Sequence, residues 1–216
     1  MKNKFLLFAL AAMPFIAAAQ DNPSTTGIKL GISAGSNISF LRDDNGMDYD
    51  PWTGRTAGLT FELPINKRFA FNTGVYYEQR NYRTDLEMYS TDPFDPIAGT
   101  YMATLEYKNH FLTVPVTAKL FFSDENSFYI LGGGFASMFL ADKLVWNGRN
   151  SPSPDSIVKK ANFGVTFGAG YRWSIDSQNE LNFELRDNLG LTKSYKNTDG
   201  FKSNTVALII NYQLTL

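Results

Sequence analysis

The chain contains no cysteine and only one histidine. Without cysteine there can be no disulfide framework, no thiol nucleophile, no thiolate metal site and no lipid-modified cysteine at an export cleavage site. A single histidine leaves little material for a histidine-dependent hydrolase. Beyond the first twenty residues no apolar run reaches the roughly 18 residues that mark a membrane-spanning helix. An excess of charge of one sign is missing too: the formal net charge is −1, which gives no reason to expect nucleic acid as a partner.

What is present begins with an address. Lys2 and Lys4 precede an apolar run from Phe5 to Ala12, then Pro14, then Ala17, Ala18 and Ala19 before Gln20. A charged start, a short apolar centre and a small-residue cleavage site make a secretory signal peptide. Residues 1–19 are therefore expected to be removed on export, leaving a short lead over 20–26 and one domain over 27–216.

That domain alternates with period two, the spacing of strands with one apolar face. Ile28, Leu30, Ile32 and Ala34 oppose Lys29, Gly31, Ser33 and Gly35. The same pattern recurs in seven further segments, most plainly where Phe163, Val165, Phe167, Ala169, Tyr171 and Trp173 oppose Asn162, Gly164, Thr166, Gly168, Gly170 and Arg172. It is least plain over 128–141, where Gly132, Gly133 and Gly134 interrupt both faces; close packing or a bend in the wall is the reading for that run. Short breaks at 64–68, 123–127 and 174–179 alternate with long polar ones at 41–54, 84–104, 142–160 and 193–204. Short turns on one side and long loops on the other are the asymmetry of outer-membrane barrels. The fold expected is all-β: an eight-stranded antiparallel up-and-down transmembrane β-barrel.

The composition of the second face decides which way the apolar residues look. It is mostly Gly, Ser, Thr, Asn and Ala, which suits a narrow polar interior better than a surface in water. Lys29, Glu62, Glu78, Lys119, Arg172, Glu184 and Arg186 fall on that face in both signs, and they are expected to pair across the lumen because unpaired charges away from bulk water are costly. Phe40, Phe69, Phe122, Tyr129, Phe163, Trp173 and Tyr212 are expected outside, as aromatic girdles.

The run Phe111-Leu112-Thr113-Val114-Pro115-Val116-Thr117-Ala118-Lys119-Leu120 resembles the proline-bearing strand of the PorT-like outer-membrane β-barrel family. Gly27 to Gly31, Phe163 to Val165, Gly168 to Gly170, Leu185-Arg186 and Leu189 to Thr192 follow in matching order. The resemblance implies an eight-stranded barrel in a family whose members mostly lack an assigned activity, one of them being tied to protein secretion. Asp187 departs from it, standing where an aromatic residue is usual on the lipid face, where a charge is tolerated only near the rim.

Candidate chemistry is sparse. His110 shares parity with Leu112 and Val114 and is expected outward near the loop end; a catalytic set would need it beside a serine such as Ser33, Ser36 or Ser39 and a carboxylate such as Glu78 or Glu106. The acidic run 43–50 lacks the ligand order of a calcium loop and is read as a solvated turn. No catalytic, cofactor-binding or metal residue is assigned, and no cofactor is expected. Loops 41–54 and 84–104 are acidic while 142–160 and 193–204 are basic, so the mouth would have two oppositely charged halves, with Tyr49, Trp52, Phe94, Tyr101 and Trp146 available for contact. The leading reading is a non-enzymatic integral outer-membrane barrel whose partners are membrane lipid and an extracellular or envelope protein. The alternatives are a component of a protein-export or envelope-assembly complex, and a lipid-modifying enzyme using His110.

Overall fold

In a computed structural model of the protein, the residues described are 27–42, 50–90, 99–122, 127–146, 149–151, 158–194 and 201–216. The expected signal peptide and lead lie outside them.

The strands are β1 (Lys29–Arg42), β2 (Asp50–Pro64), β3 (Phe69–Ser90), β4 (Gly99–Phe121), β5 (Phe128–Trp146), β6 (Arg149–Ser151), β7 (Ala161–Ser174), β8 (Asn179–Gly190) and β9 (Lys202–Thr215). All pairings are antiparallel between chain neighbours, except that β7 follows β5 in the wall and β1 meets β9. Since β4 also pairs with β5, the sheet closes into an eight-stranded barrel, with β6 a three-residue ribbon against the end of β5. Closure satisfies the backbone of every wall strand without leaving an edge.

Exposure is inverted relative to a water-soluble protein. Ile32, Leu59 and Leu208 are 62%, 64% and 61% exposed, whereas Glu62, Lys119, Asn182 and Gln213 are 0% exposed. An apolar outside and a polar inside is the arrangement a hydrocarbon solvent selects. The alternation read from the sequence thus faces lipid on its apolar side, and Ile209, the one residue that breaks the pattern of β9, is a buried apolar residue of the interior.

Three details correct the sequence reading. Tyr129 is not part of an outer girdle; it is 1% exposed and packs inside against Phe121, ring centroids 5.3 Å apart. Gly170 makes room for it, because a Cβ there would collide with the tyrosine ring. Secondly, most of what looked like loop at 84–104 is paired strand: β3 and β4 stay in register out to Ser90↔Gly99. In the same way β2 begins at Asp50, β5 runs to Trp146 and β9 begins at Lys202. Thr84, Tyr89, Thr100, Met102 and Thr104 favour extended backbone without alternating in hydropathy, so the strands continue where the apolar signal stops. Thirdly, β5 carries one extra residue opposite the His110–Phe111 step, a bulge that shifts the parity of its outer part.

Two sequence features find physical reasons. Pro115 has no N–H to give, and the β3–β4 pairing is interrupted beside it, between Thr73↔Val116 and Tyr76↔Thr113, with the register kept. At Gly133 a Cβ would fall on the Val116 carbonyl, so this one glycine of the run marks close approach of β4 and β5, while a Cβ at Gly132 would meet nothing.

Candidate functional site

The interior of the barrel is the most elaborated polar region of the molecule. Alternation on eight converging strands points every second side chain into a lumen just wide enough to be filled. From the end bearing the short turns, Lys29 Nζ lies 2.5 Å from Glu180 Oε2. Arg172 Nε lies 3.2 Å from the other oxygen of Glu180, and its guanidinium also binds Glu62. Glu62 takes Lys119 as well, at 2.9 Å, and Lys119 reaches Glu184 at 3.8 Å. Glu184 ends the chain by accepting Arg186 Nε at 2.7 Å and the Tyr129 hydroxyl at 3.0 Å.

Each cation of this chain except Lys29 also lies over a ring: Arg172 over Phe121 at 4.2 Å, Lys119 over Tyr129 at 4.6 Å and Arg186 over Tyr76 at 4.8 Å. Rings therefore close the gaps that charged groups leave, and the cations gain a second source of attraction. A separate cluster sits farther along the lumen. Arg80 Nη2 binds Glu78 at 2.6 Å and donates to Ser137 Oγ at 2.9 Å, while Thr113 Oγ1 and Asn188 Nδ2 donate to Glu78 at 2.9 and 3.0 Å. Phe111 lies 4.5 Å from the Arg80 guanidinium.

All seven interior charges expected from the sequence are buried here and paired, but Glu78 and Arg186 find their ion-pair partners, Arg80 and Glu184, along their own strand and not across the lumen. Sequence reasoning missed two members, Arg80 and Glu180. Both were legible: Arg80 has the parity of Glu78, and Glu180 that of Asn182 and Glu184. What the arrangement can do is mechanical and electrostatic. Charge of both signs, hydrogen bonded and packed with rings, cross-links strands on opposite sides of the barrel and fills the path a solute would take.

His110 lies on the outer face, stacked on Tyr77 with ring centroids 5.7 Å apart and its Nδ1 2.5 Å from the tyrosine hydroxyl. The residues a catalytic set would need are scattered. Ser33 and Ser39 are buried in the lumen, Ser36 donates to the Gly54 carbonyl at 3.3 Å, Glu78 is held by Arg80, and Glu106 pairs with Lys108 at 3.0 Å. Among the described residues no cluster of His, Asp or Glu could hold a metal ion. The acidic run 43–49 lies outside them, and Asp50 stands at the start of β2 opposite Arg83.

At the outer mouth, Lys159 N donates to the Ser194 carbonyl at 2.8 Å, tying the two basic loops to each other, and Ser194 N donates to the Phe201 carbonyl at 2.8 Å within the second of them. Tyr49 and Phe94, with most of the acidic loop residues, lie outside the described residues. Trp52 is half-buried on β2 with the Arg83 guanidinium 5.3 Å from its ring, and Trp146 is half-buried on β5. At the opposite end, the Asp176 carboxylate accepts the N–H groups of Gln178 and Asn179, each at 2.8 Å, and the Asn179 amide. Those bonds hold its carboxyl below the usual carboxylate range.

Residues 18–196 match the model of a family described as outer membrane protein beta-barrel domain. Among solved structures, the chain is similar to the attachment invasion locus protein Ail of Yersinia pestis, at 16% identity over 88% of this chain and 99% of that one, TM-score 0.42. Neisserial surface protein A is 14% identical over 88% and 98%, TM-score 0.48, and Escherichia coli outer membrane protein W is 15% identical over 89% and 100%, TM-score 0.42. No curated protein sequence matches the chain.

Proposed function

The chain belongs to the outer membrane protein beta-barrel domain family and is an integral outer-membrane protein; from that premise we propose that it is a closed, non-enzymatic barrel whose outer elements contact an extracellular or envelope protein. The observation that carries this reading is the division of labour along the strands. The interior is spent on ion pairs that fill it, while β3 and β4, at 22 and 23 residues, are about twice the length a tilted strand needs to cross a bilayer. Strand beyond the membrane does nothing for the barrel's closure, and a paired, raised ribbon with exposed Leu86, Tyr89 and Met102 is a surface suited to contact.

The likeness of the Phe111 to Leu120 strand to PorT-like barrels supports an envelope partner as much as an extracellular one. Export through residues 1–19 is part of the same proposal. Site-specific photo-crosslinking from Leu86, Tyr89 and Met102 in the native envelope tests it, with Lys67 in a short turn as the control position. A partner captured from the ribbon and not from the turn is the expected result; capture of lipid alone from all four positions would refute protein contact. Purified protein in a planar bilayer is expected to show no steady conductance, and a stable open channel would refute closure.

A further inference from the structure

On the outer wall, one side of the barrel ends its apolar band in cations. Along β4 the outward positions run Leu120, Ala118, Val116, Val114 and Leu112, then change to His110 and Lys108. Since roughly 9–11 residues of tilted strand cross the hydrocarbon, His110 and Lys108 sit at head-group depth. On β5 the exposed Met138 and Leu140 give way to Lys143, and on β2 the exposed Ala57 gives way to the exposed Arg55.

Register brings these groups together. Lys108 is directly opposite Lys143, and His110 opposite Ala141, one outward row below. Like charges directly opposite on neighbouring strands destabilise a sheet. Glu106 offsets Lys108 at 3.0 Å, while exposed Lys143 has no ion-pair partner among the described residues. His110 adds a donor. Its Nδ1 lies 2.5 Å from the Tyr77 hydroxyl, and in the tautomer whose Nδ1 accepts that O–H the ring proton resides on Nε2, the nitrogen away from the tyrosine.

We propose that Lys108, Lys143 and His110 form a binding site for the phosphate of an outer-leaflet lipid head group. A phosphate between the two lysines turns their repulsion into attraction, and the histidine N–H supplies a directed hydrogen bond from below. The occupant follows from the placement: at this depth on an outward face, the molecule that touches the wall is lipid, and the phosphate is the part of it at the level of the lysines. Two strands along from β5 the wall differs, since the outward residue of β8 is the carboxylate Asp187, directly paired with Phe167 and Val206. The proposal rests on the outer-membrane placement and is independent of any protein partner.

The test uses the full chain in phosphatidylcholine nanodiscs doped with lipid A bearing its phosphates, or with dephosphorylated lipid A, and counts retained lipid by native mass spectrometry. Retention of the phosphorylated form is expected, weakened about fivefold for each of Lys108→Gln and Lys143→Gln, since a basic residue at a membrane surface contributes about that factor. The Lys108→Arg/Lys143→Arg variant should retain the lipid, His110→Gln should weaken it less, and Lys67→Gln should not change it. A folded state is verified for every variant by its heat-dependent gel mobility, and His110→Gln keeps the test open should a double lysine variant not fold. Equal retention of the two lipids, or no loss in the glutamine variants, overturns the proposal. Displacement by inorganic phosphate at the same concentration as the lipid overturns it too, by showing a site for a free anion.

Discussion

Where the short turns lie, the chain reverses within 65–68 and 175–178, each held by a hydrogen bond across the turn, Ile65 N to the Phe69 carbonyl at 2.8 Å and Ile175 N to the Asn179 carbonyl at 2.9 Å. The long ion chain from Lys29 to Arg186 begins just inside this end. At the other end the strands outgrow the bilayer unequally. β3 and β4 continue about 20 Å past the last β2–β3 pair, Asp50↔Arg83, at the rise of an extended strand. The contrast teaches that one end of this barrel is organised for closure and the other for reach. On the function proposed above, stability and contact can therefore be altered separately.

The largest effect is expected where one residue serves the closed end most. Glu62 binds both Lys119 and Arg172, so Glu62→Gln leaves two buried cations short of a counter-charge and should lower stability by about 3–5 kcal/mol, read from urea unfolding in detergent micelles or bilayers. A loss under about 1 kcal/mol would mean that the ion chain is not what holds the lumen. An intermediate outcome is expected from the reaching end: replacing residues 86–102 by a short Gly-Ser linker should abolish co-purification of the partner captured by the intact chain yet leave the unfolding midpoint within measurement error. A truncated protein that no longer inserts would show that the ribbon belongs to the folding unit.

The smallest effect concerns the Asp176 turn. Its carboxyl is held low by hydrogen bonds present only in the folded chain, so the contribution is full above the ordinary aspartate value and is lost as pH falls through the lowered one. Asp176→Ala should leave stability slightly reduced at neutral pH and indistinguishable from wild type in strong acid. An equal deficit at both would assign the loss to the side chain's packing and not to its charge.

How much of this was legible follows from what alternation can and cannot encode. Inside the hydrocarbon, two solvents act on the two faces, so parity alone identified Lys29, Glu62, Glu78, Lys119, Arg172, Glu184 and Arg186 as interior. Outside it, water bathes both faces and the constraint lapses. This is why β3 and β4 were cut short at Arg83 and Leu105, and why Arg80, three residues beyond the last clear apolar position at Tyr77, was overlooked. Tyr129 was misplaced for a different reason: the glycines at 132–134 carry no side chains to mark a face, although outward Phe128 and Ile130 on either side of the tyrosine were signal enough. The head-group cluster was invisible because it depends on register. Lys108 and Lys143 lie on different strands, and only the extra residue in β5 sets them opposite.

The central claim is that the apolar face of this wall meets lipid and the polar face meets a packed interior. Because the chain has no cysteine, single cysteines can be introduced along β7 from Phe163 to Tyr171 without a background, each carrying a nitroxide label. In reconstituted bilayers, labels at Phe163, Val165, Phe167, Ala169 and Tyr171 should collide strongly with molecular oxygen, which concentrates in hydrocarbon. Labels at Thr166, and at Asn162 one residue before this stretch, both buried inward positions that already carry a side chain, should collide weakly with oxygen and with a water-soluble nickel chelate alike. The reverse phase, or strong collision with the chelate at the even positions, would contradict a lipid-facing wall around a filled lumen.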